Sequence, residues 1–498
     1  MKPADFADYD VCITTYQTLA SDYMPPKSSK AQPVPRPAGL YSVKWRRVIL
    51  DEGHTIRNPS SRGAAAVTAV IARSRWVLTG TPIINSLKDL YSLVRFIGLT
   101  GGLEKLDVFN SVLVRPLKAG DESATALLQA IMSALCLRRR KEMKFIDLKL
   151  PELSEYVHRI QFSPKEKERY DAFYTEAKGT LQRYRDTEGQ KAADTYRHLL
   201  EILLRMRQVC NHWQLCGERV NSLMKVLEKQ QVVALTPENC KALQEMLQLS
   251  IESHEECPIC LQGLHSPVIT HCAHVFGADC INRVIETQHK CPMCRAELKD
   301  ETCLVHPRHE YGDESKDDEL DLSASSTKLD ALLSILKASK GTGNKTVIFS
   351  QWTRFLDVVQ ARLDTEGYKY CRIDGTMSAG NRDKALHALE DDPSCTVMLA
   401  SLGVCAVGLN LVAANQIILS DSWWAPAIED QAVDRVHRLG QKKETKVFRL
   451  VMEGSIEERT LEIQARKRQL MMMAFQEKST KRTGGKAARL GDIEKLLK

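Results

Sequence analysis

The sequence feature that most constrains this chain is a cluster of cysteines and one histidine between residues 257 and 294. The cluster consists of Cys257, Cys260, Cys272, His274, Cys280, Cys291 and Cys294. Cysteine pairs separated by two residues, with a histidine nearby, have the spacing at which zinc takes thiolate and imidazole ligands. A segment this short has too little apolar core to fold alone, so bound metal must supply part of its stability. The sequence therefore predicts a small domain folded around Zn²⁺.

Cysteine usage and charge limit the class of protein. Six of the 15 cysteines fall in the cluster and the others are scattered. Neither a signal peptide nor an apolar run of membrane-spanning length is present in the sequence, a pattern that favours a reducing compartment, nuclear or cytosolic. The net charge is only +7, from 70 Lys and Arg against 63 Asp and Glu, so any nucleic-acid-binding surface must be local.

Short apolar runs alternate with helical segments on both sides of the cluster. Runs such as T-V-I-F-S (346–350) and Q-I-I-L-S (416–420) predict parallel strands that are covered on both faces. We therefore predict an α/β fold with two parallel-sheet lobes and the zinc domain between them. The predicted divisions are a first lobe at 1–160, a helical insertion at 161–250, the zinc domain at 255–297, an acidic linker at 298–325, a second lobe at 326–475 and a basic tail at 476–498.

The first candidate chemical site is D-E-G-H at 51–54, which follows the apolar run V-I-L. Two acids at the end of a strand lie at the edge where open α/β sheets bind ligands. There Asp51 would hold Mg²⁺ through water and Glu52 would orient a water for attack on a phosphate. A solvated loop can carry two acids as well, but a second strand that runs into T-G-T-P (79–82) favours the catalytic interpretation.

The second candidate site is a helix predicted across residues 431–441, which Gly440 would end. Its polar residues recur at spacings of three, four and seven and so share one face; they are Gln431, Asp434, Arg435 and Arg438. An ordinary amphipathic helix with one wet face would show the same pattern. Two arginines one turn apart are also suited to stabilise the charge that develops on a transferred γ-phosphate.

These strings resemble motifs II, III and VI of the Swi/Snf-type branch of superfamily-two helicase-like ATPases. I-T-T-Y (13–16) and V-G-L-N-L (407–411) resemble further motifs of that branch, and the zinc cluster resembles a RING finger. A RING finger between the lobes is typical of the branch members that act in post-replication repair. The resemblance implies two RecA-like lobes, with ATP and Mg²⁺ in the cleft between them and double-stranded DNA across both. It assigns catalytic roles to Asp51, Glu52, His54, Arg435 and Arg438, and nucleotide contacts to Gly408, Asn410, Gln431 and Asp434.

One motif of that branch is absent from these 498 residues. No G-x-x-x-x-G-K-[ST] string precedes D-E-G-H, although a phosphate cradle requires a strand, a glycine-rich turn and a helix N-terminus in that order. We expect that the chain is a fragment or a truncated gene model that begins after this motif, so that its first RecA-like lobe is incomplete. Genuine loss of the motif is the alternative. In either case we expect the chain as given to hydrolyse ATP hardly at all.

The RING resemblance implies two cross-braced zinc sites, although the cluster offers seven ligands where eight are expected. One site is complete, with Cys272, His274, Cys291 and Cys294. The other has Cys257, Cys260 and Cys280, and Gly277 stands where the family pattern has Cys or His. Asp279, His271 or a water could supply the fourth ligand. We favour Asp279, because carboxylates are ordinary zinc ligands and this one adjoins Cys280.

RING fingers bind ubiquitin-conjugating enzymes, and the resemblance assigns that contact to three residues. Ile259 and Pro292 would form the apolar contact, and Arg295 would hydrogen-bond both ubiquitin and the conjugating enzyme. Packing within the small zinc domain is the alternative interpretation of Ile259.

Two functions from different classes are compatible with the sequence. The first is a nuclear ATP-dependent translocase on double-stranded DNA that also recruits ubiquitin conjugation in DNA damage tolerance and chromatin. The second is a scaffold, derived from such a motor, that binds DNA and a ubiquitin-conjugating enzyme without ATP turnover. The expected partners are double-stranded DNA, a ubiquitin-conjugating enzyme and ubiquitin. The replication sliding clamp or nucleosomes are further candidates, and no membrane partner is expected.

Overall fold

The structure is a computed structural model that describes residues 3–6, 8–23, 39–83, 86–139, 141, 143, 150–186, 190–215, 232–252, 255–307, 324–375, 377–403 and 408–475. The predicted basic tail and residues 308–323 of the predicted acidic linker lie outside the described residues.

The described elements alternate between helices and strands on both sides of the zinc cluster. The α-helices are α1 Tyr16–Asp22, α2 Arg62–Ala69, α3 Lys88–Ile97, α4 Leu106–Phe109, α5 Arg115–Ala119, α6 Glu122–Leu135, α7 Pro164–Arg185, α8 Gln190–Asn211, α9 Pro237–Glu252, α10 Ala278–Gln288, α11 Thr327–Ser339, α12 Thr353–Thr365, α13 Ala379–Asp391, α14 Pro426–Val436 and α15 Ile456–Ala474. The strands are β1 Trp45–Leu50, β2 Ala72–Val77, β3 Leu153–Ile160, β4 Pro267–Thr270, β5 Val275–Gly277, β6 Leu304–Val305, β7 Thr346–Ser350, β8 Lys369–Ile373, β9 Cys395–Ser401, β10 Gln416–Leu419 and β11 Thr445–Met452.

The first lobe is built on a parallel pair of strands, β1 and β2, in which Ile49 lies opposite Trp76. Leu50 joins a buried cluster with α1, α2 and α3, whose largest member is Phe96. Ser61 caps the N-terminus of α2, because its side chain accepts a hydrogen bond from the backbone amide of Ala64, the third residue of the helix. Strand β1 is thereby anchored, and the residues that follow it are held at the sheet edge.

The second lobe is a six-stranded sheet with the order β3-β11-β10-β7-β9-β8, and every neighbouring pair is parallel. Alternate residues of β7 face two separate cores. Ile348 packs with α7, α8, α11 and α12, whereas Val347 and Phe349 pack with α13 and α14. This confirms the predicted α/β fold with parallel strands covered on both faces.

Two of the predicted domain divisions need correction at the second lobe. β3 falls inside the predicted first lobe 1–160, yet it pairs along its full length with β11, so the second-lobe sheet begins at Leu153. α7 and α8 fall inside the predicted helical insertion 161–250, yet Tyr170 and Leu203 belong to the same buried core as Ile348. The helical character of residues 161–250 was predicted, but the sheet on which these elements pack was not, because its other strands are distant in sequence.

The zinc domain is larger than the predicted range 255–297. β6 pairs with β4 in the three-stranded antiparallel sheet of this domain, although it falls inside the predicted linker 298–325. α9 packs on the same sheet, where Leu243 and Leu247 are fully buried against Ile269. In the part of the chain that the structure describes, no helix combines the length and apolarity that a membrane crossing requires.

Candidate nucleotide cleft and zinc centre

D-E-G-H forms a tight turn at the carboxyl end of β1, beside the end of β2. The Leu78 amide donates to the Leu50 carbonyl at 2.8 Å, and the Gly53 amide donates to the Leu78 carbonyl at 2.9 Å. A Cβ atom added to Gly53 would lie 2.3 Å from Val77 Cγ1, so glycine alone fits between the turn and β2. The close approach fixes the two preceding carboxylates at the ligand-binding edge of the sheet.

His54 connects the D-E-G-H and T-G-T-P strings. Its Nδ1 atom lies 3.2 Å from Thr79 Oγ1 and 3.4 Å from Thr81 Oγ1, and it is 3.3 Å from Glu52 Oε2. Burial, and then the charge of Arg57, lower the pKa of His54 below its ordinary value. The ring is therefore neutral at pH 7 and links the two strings by hydrogen bonding.

Glu52 is held in the left-handed backbone region, with φ of 45°. Burial and the neighbouring Asp51 raise the pKa of Glu52, and Arg435 acts in the opposite direction. Its Oε1 atom lies 3.9 Å from Arg435 Nη2. Its Oε2 atom is buried and, apart from the 3.3 Å contact with His54 Nδ1, has no partner among the described residues, although buried acceptors normally have one. An attacking water fits this position.

Asp51 differs from Glu52 in being exposed. The Tyr16 hydroxyl donates to the Asp51 carbonyl at 2.8 Å, which ties I-T-T-Y to the turn. Burial, and then the charge of Asp51, raise the pKa of Tyr16, so this hydroxyl remains a donor. An exposed carboxylate suits Mg²⁺, which keeps several of its waters when it binds protein.

The second lobe contributes Arg435 from the last turn of α14. α14 ends at Val436, so the helix predicted through residue 441 is wrong, and Arg438 lies beyond it with an exposed side chain. The Arg435 side chain is 15% exposed and faces Glu52. The predicted pair of arginines on one helical face is therefore corrected to one arginine on the helix. A catalytic role for Arg438 stays a prediction.

The end of α14 is fixed by the segment that joins the lobes. Lys141 Nζ donates to the His437 carbonyl at 2.5 Å and lies 2.6 Å from Asp434 Oδ1. A cation is favourable there, because the last carbonyl groups of a helix carry partial negative charge. His437 Nε2 lies 2.9 Å from the Pro151 carbonyl. Asp434, a predicted nucleotide contact, is thus paired within the protein, and Gln431 is half-buried.

The other predicted nucleotide contacts lie beside α14. Gly408 and Asn410 are exposed, and the amide of the next residue, Leu411, donates to the Arg435 carbonyl at 3.0 Å. Residues 404–407 lie outside the described residues. The cleft therefore brings together residues after β1, after β2, before β10 and on α14.

The zinc cluster folds into two groups of ligand atoms, and within each group all the atoms lie within 4.8 Å of one another. One group is Cys272, His274, Cys291 and Cys294, and the other is Cys257, Cys260 and Cys280. Ligands around a tetrahedral zinc with bonds of about 2.3 Å lie roughly 3.8 Å apart, so both groups fit the metal. The segments interleave in the cross-braced order.

The two C-P-x-C loops share one backbone geometry. The Leu261 amide donates to the Cys257 carbonyl and the Arg295 amide to the Cys291 carbonyl, each at 2.8 Å. Leu261 and Arg295 have positive φ angles of 57° and 63°.

Gly277 lies directly beside the three-thiol group. Its amide donates to Cys257 Sγ at 3.4 Å. Neither favoured candidate for a fourth ligand belongs to this group among the described residues. Asp279 is exposed in the first turn of α10, and His271 Nε2 lies 3.1 Å from the Glu297 carbonyl. The structure thus places neither Asp279 nor His271 among the grouped ligand atoms of this site.

The predicted contact for a conjugating enzyme is only partly exposed. Pro292 and Arg295 are exposed, and Met293 beside them is 46% exposed. Ile259 is half-buried and packs against the core of the zinc domain, so both interpretations of this residue describe part of its surroundings.

Comparison with known families agrees with this geometry. Residues 1–215 match the SNF2-related domain, residues 255–295 the Ring finger domain and residues 327–440 the Helicase conserved C-terminal domain. The chain therefore carries an SNF2-related domain, a RING finger and a helicase C-terminal domain. The Helicase-like transcription factor of Mus musculus is 38% identical over 98% of this chain and 48% of its own length.

Two further relatives of this chain are named as DNA repair proteins. RAD5A of Arabidopsis thaliana is 34% identical over 98% of this chain and 48% of its own length, and rad8 of Schizosaccharomyces pombe is 33% identical over 92% and 42%. The chain spans about half the length of the curated relatives it matches. Among solved structures, the C-terminal part of the Fun30 ATPase domain is 19% identical, with a TM-score of 0.41 over 66% of this chain and 100% of that one.

Lys328 and Arg57 form two ion pairs that were not predicted from the sequence. Lys328, fully buried, binds Glu457 at 2.6 Å and the Ser420 carbonyl at 2.8 Å inside the second lobe. Arg57, just after D-E-G-H, binds Glu256 of the RING finger at 2.8 Å. Neither residue lies in a recognisable motif, because the partners of each are distant in sequence.

Proposed function

We propose that this chain is part of an ATP-dependent translocase on double-stranded DNA that also acts as a RING-type ubiquitin ligase in nuclear DNA damage tolerance and chromatin. The observation that carries the proposal is the approach of Glu52 and Arg435 at 3.9 Å across the two lobes. Relatives named as DNA repair proteins and as a helicase-like transcription factor support the biological setting.

The residues of the cleft suit the γ-phosphate end of a nucleotide. Bound ATP and Mg²⁺ would supply the phosphoryl group and neutralise its charge. Asp51 would hold the hydrated ion, Glu52 would orient water through its buried Oε2 atom, and Arg435 would stabilise charge on the phosphoryl oxygens. Because Glu52 and Arg435 lie on different lobes, hydrolysis depends on how the lobes are set relative to each other.

The RING finger suits recruitment of a ubiquitin-conjugating enzyme. Its zinc groups hold the two C-P-x-C loops side by side, and Pro292 and Arg295 are exposed at their surface. A scaffold that binds without ATP turnover is the second candidate for the 498-residue chain itself. The observation that favours it is the absence of a G-x-x-x-x-G-K-[ST] string from these residues.

A pair of substitutions tests the proposed function. We would prepare a longer polypeptide that adds a P-loop-bearing segment ahead of Met1 and assay DNA-stimulated ATP turnover and ubiquitin discharge together. Glu52→Gln should abolish turnover and leave discharge intact, whereas Ile259→Ala should abolish discharge and leave turnover intact. Turnover that survives Glu52→Gln would show that the cleft is wrongly assigned. Discharge that survives Ile259→Ala would show the same for the RING surface.

A further inference from the structure

The RING finger packs on the first lobe through its first zinc loop, residues 256–262. Arg57 Nη2 lies 2.8 Å from Glu256 Oε1, and both side chains are about one-third exposed. The Arg62 amide donates to the Cys260 carbonyl at 3.3 Å. A Cβ atom added to Gly63 would lie 2.0 Å from the side-chain nitrogen of Gln262, so the loop also lies directly against the start of α2. An ion pair, a backbone hydrogen bond and close side-chain packing therefore hold this loop against the first lobe at both of its ends.

The docking segment of the first lobe, residues 57–63, continues directly from the nucleotide turn. The Arg57 amide donates to the His54 carbonyl at 3.0 Å and closes that turn. Arg57 also contributes to the lowered pKa of His54. The docking segment is thus in direct contact with the residue that links D-E-G-H to T-G-T-P.

Ile259 lies in the middle of the docked loop. Cys260, the next residue, binds the first lobe through its carbonyl, and Glu256, three residues earlier, binds it through its carboxylate. Even a small protein interface covers about 600 Å² of each partner, which is a patch roughly 28 Å across. A conjugating enzyme that covers Ile259 and Pro292 would therefore extend over the docking segment.

We propose that docking of the first zinc loop on residues 57–63 and binding of a ubiquitin-conjugating enzyme at Ile259 exclude each other. The inference rests on the proposed ligase function. The RING finger is joined to second-lobe helices on both sides, α8 before it and α11 after it, so its docking on the first lobe also ties the lobes together. By thermodynamic linkage, binding of a conjugating enzyme weakens the docking of the RING finger on the first lobe. The docked arrangement weakens binding of the enzyme by the same factor.

Charge reversal in the first lobe tests the proposal without altering the RING finger. The probe is a panel of ubiquitin-conjugating enzymes charged with ubiquitin, whose discharge onto free lysine is measured with the 498-residue chain. Arg57→Glu should accelerate discharge about fivefold or more, which is the usual lower bound for coupled sites. The double change Arg57→Glu with Glu256→Arg should restore the original rate. Arg73→Glu, at an exposed position on β2, is the matched control with the same change in charge.

Hydrogen exchange gives a second measurement on the unmodified chain. A saturating conjugating enzyme should speed exchange of the Arg62 amide, because binding removes its acceptor, the Cys260 carbonyl. Two results would overturn the inference and leave the ligase function standing. One is discharge that depends on Ile259 but is equal in Arg57→Glu and Arg73→Glu. The other is unchanged exchange at the Arg62 amide. Failure of both the original chain and Arg57→Glu to discharge any enzyme in the panel overturns the ligase function and the inference with it.

Discussion

Gly277→Cys should tighten zinc binding at the three-thiol site about fivefold. A structural zinc site supplies about 10–16 kcal/mol, so an even division among four ligands gives roughly 3 kcal/mol for each. The new Cβ atom would lie 3.0 Å from the His265 carbonyl oxygen, which must move by a few tenths of an ångström. Crowding of this kind costs about 1–3 kcal/mol. With a cost in the middle of that range the remainder is about 1 kcal/mol, which corresponds to roughly a factor of five.

The assay is zinc release from the purified chain against chelators of increasing strength. In the original chain one ion should leave before the other, and Gly277→Cys should bring the two releases closer together. Gly277→Ala adds the same Cβ atom without a thiol, so it should weaken retention at this site. Asp279→Ala should change nothing, since Asp279 lies outside the thiol group. Simultaneous release of both ions, unaffected by any change at position 277, would refute the reasoning.

Three further predictions concern the cleft and the second lobe. The 498-residue chain should hydrolyse ATP at background level with or without duplex DNA, as measured by phosphate release; DNA-stimulated turnover would contradict this. Lys328→Met should lower the free energy of unfolding by about 3–5 kcal/mol in urea, because Glu457 is left buried without its partner. The control Lys337→Met removes an exposed ion pair and should have a much smaller effect. The pKa of His54 is lowered in the folded chain, so the neutral ring stabilises the fold. This stability is complete above pH 6.5, the ordinary pKa of histidine, and is lost as the pH falls through the folded pKa. His54→Gln should remove this loss of stability at low pH.

The sequence predicted those parts of the molecule that depend on local spacing. The strands around 346–350 and 416–420 follow from continuous apolar runs, and the structure confirms the parallel sheet. The C-P-x-C loops are also local, since each closes by a hydrogen bond within five residues. The turn that carries Glu52 was recognisable because two acids follow a strand.

Features that depend on distant residues were not predictable in this way. β3 reads like an ordinary strand, and only its pairing with β11 assigns it to the second lobe. The helix that carries Arg435 ends earlier than its polar pattern indicates, because Lys141 binds the carbonyl of His437. The contact between Arg57 and Glu256 joins residues 199 positions apart, and no local pattern marks either one.

The most direct test of a cleft built by both lobes is the effect of Arg435→Ala on DNA-stimulated ATP turnover in the longer polypeptide with a P-loop. Arginines that stabilise transferred phosphoryl groups are worth about 10³–10⁵ in rate, and a loss in that range is expected, with nucleotide binding retained. Arg73→Ala, on an exposed part of β2, should leave the rate unchanged. A normal rate for Arg435→Ala would contradict the assignment of the hydrolysis site to the approach of Glu52 and Arg435.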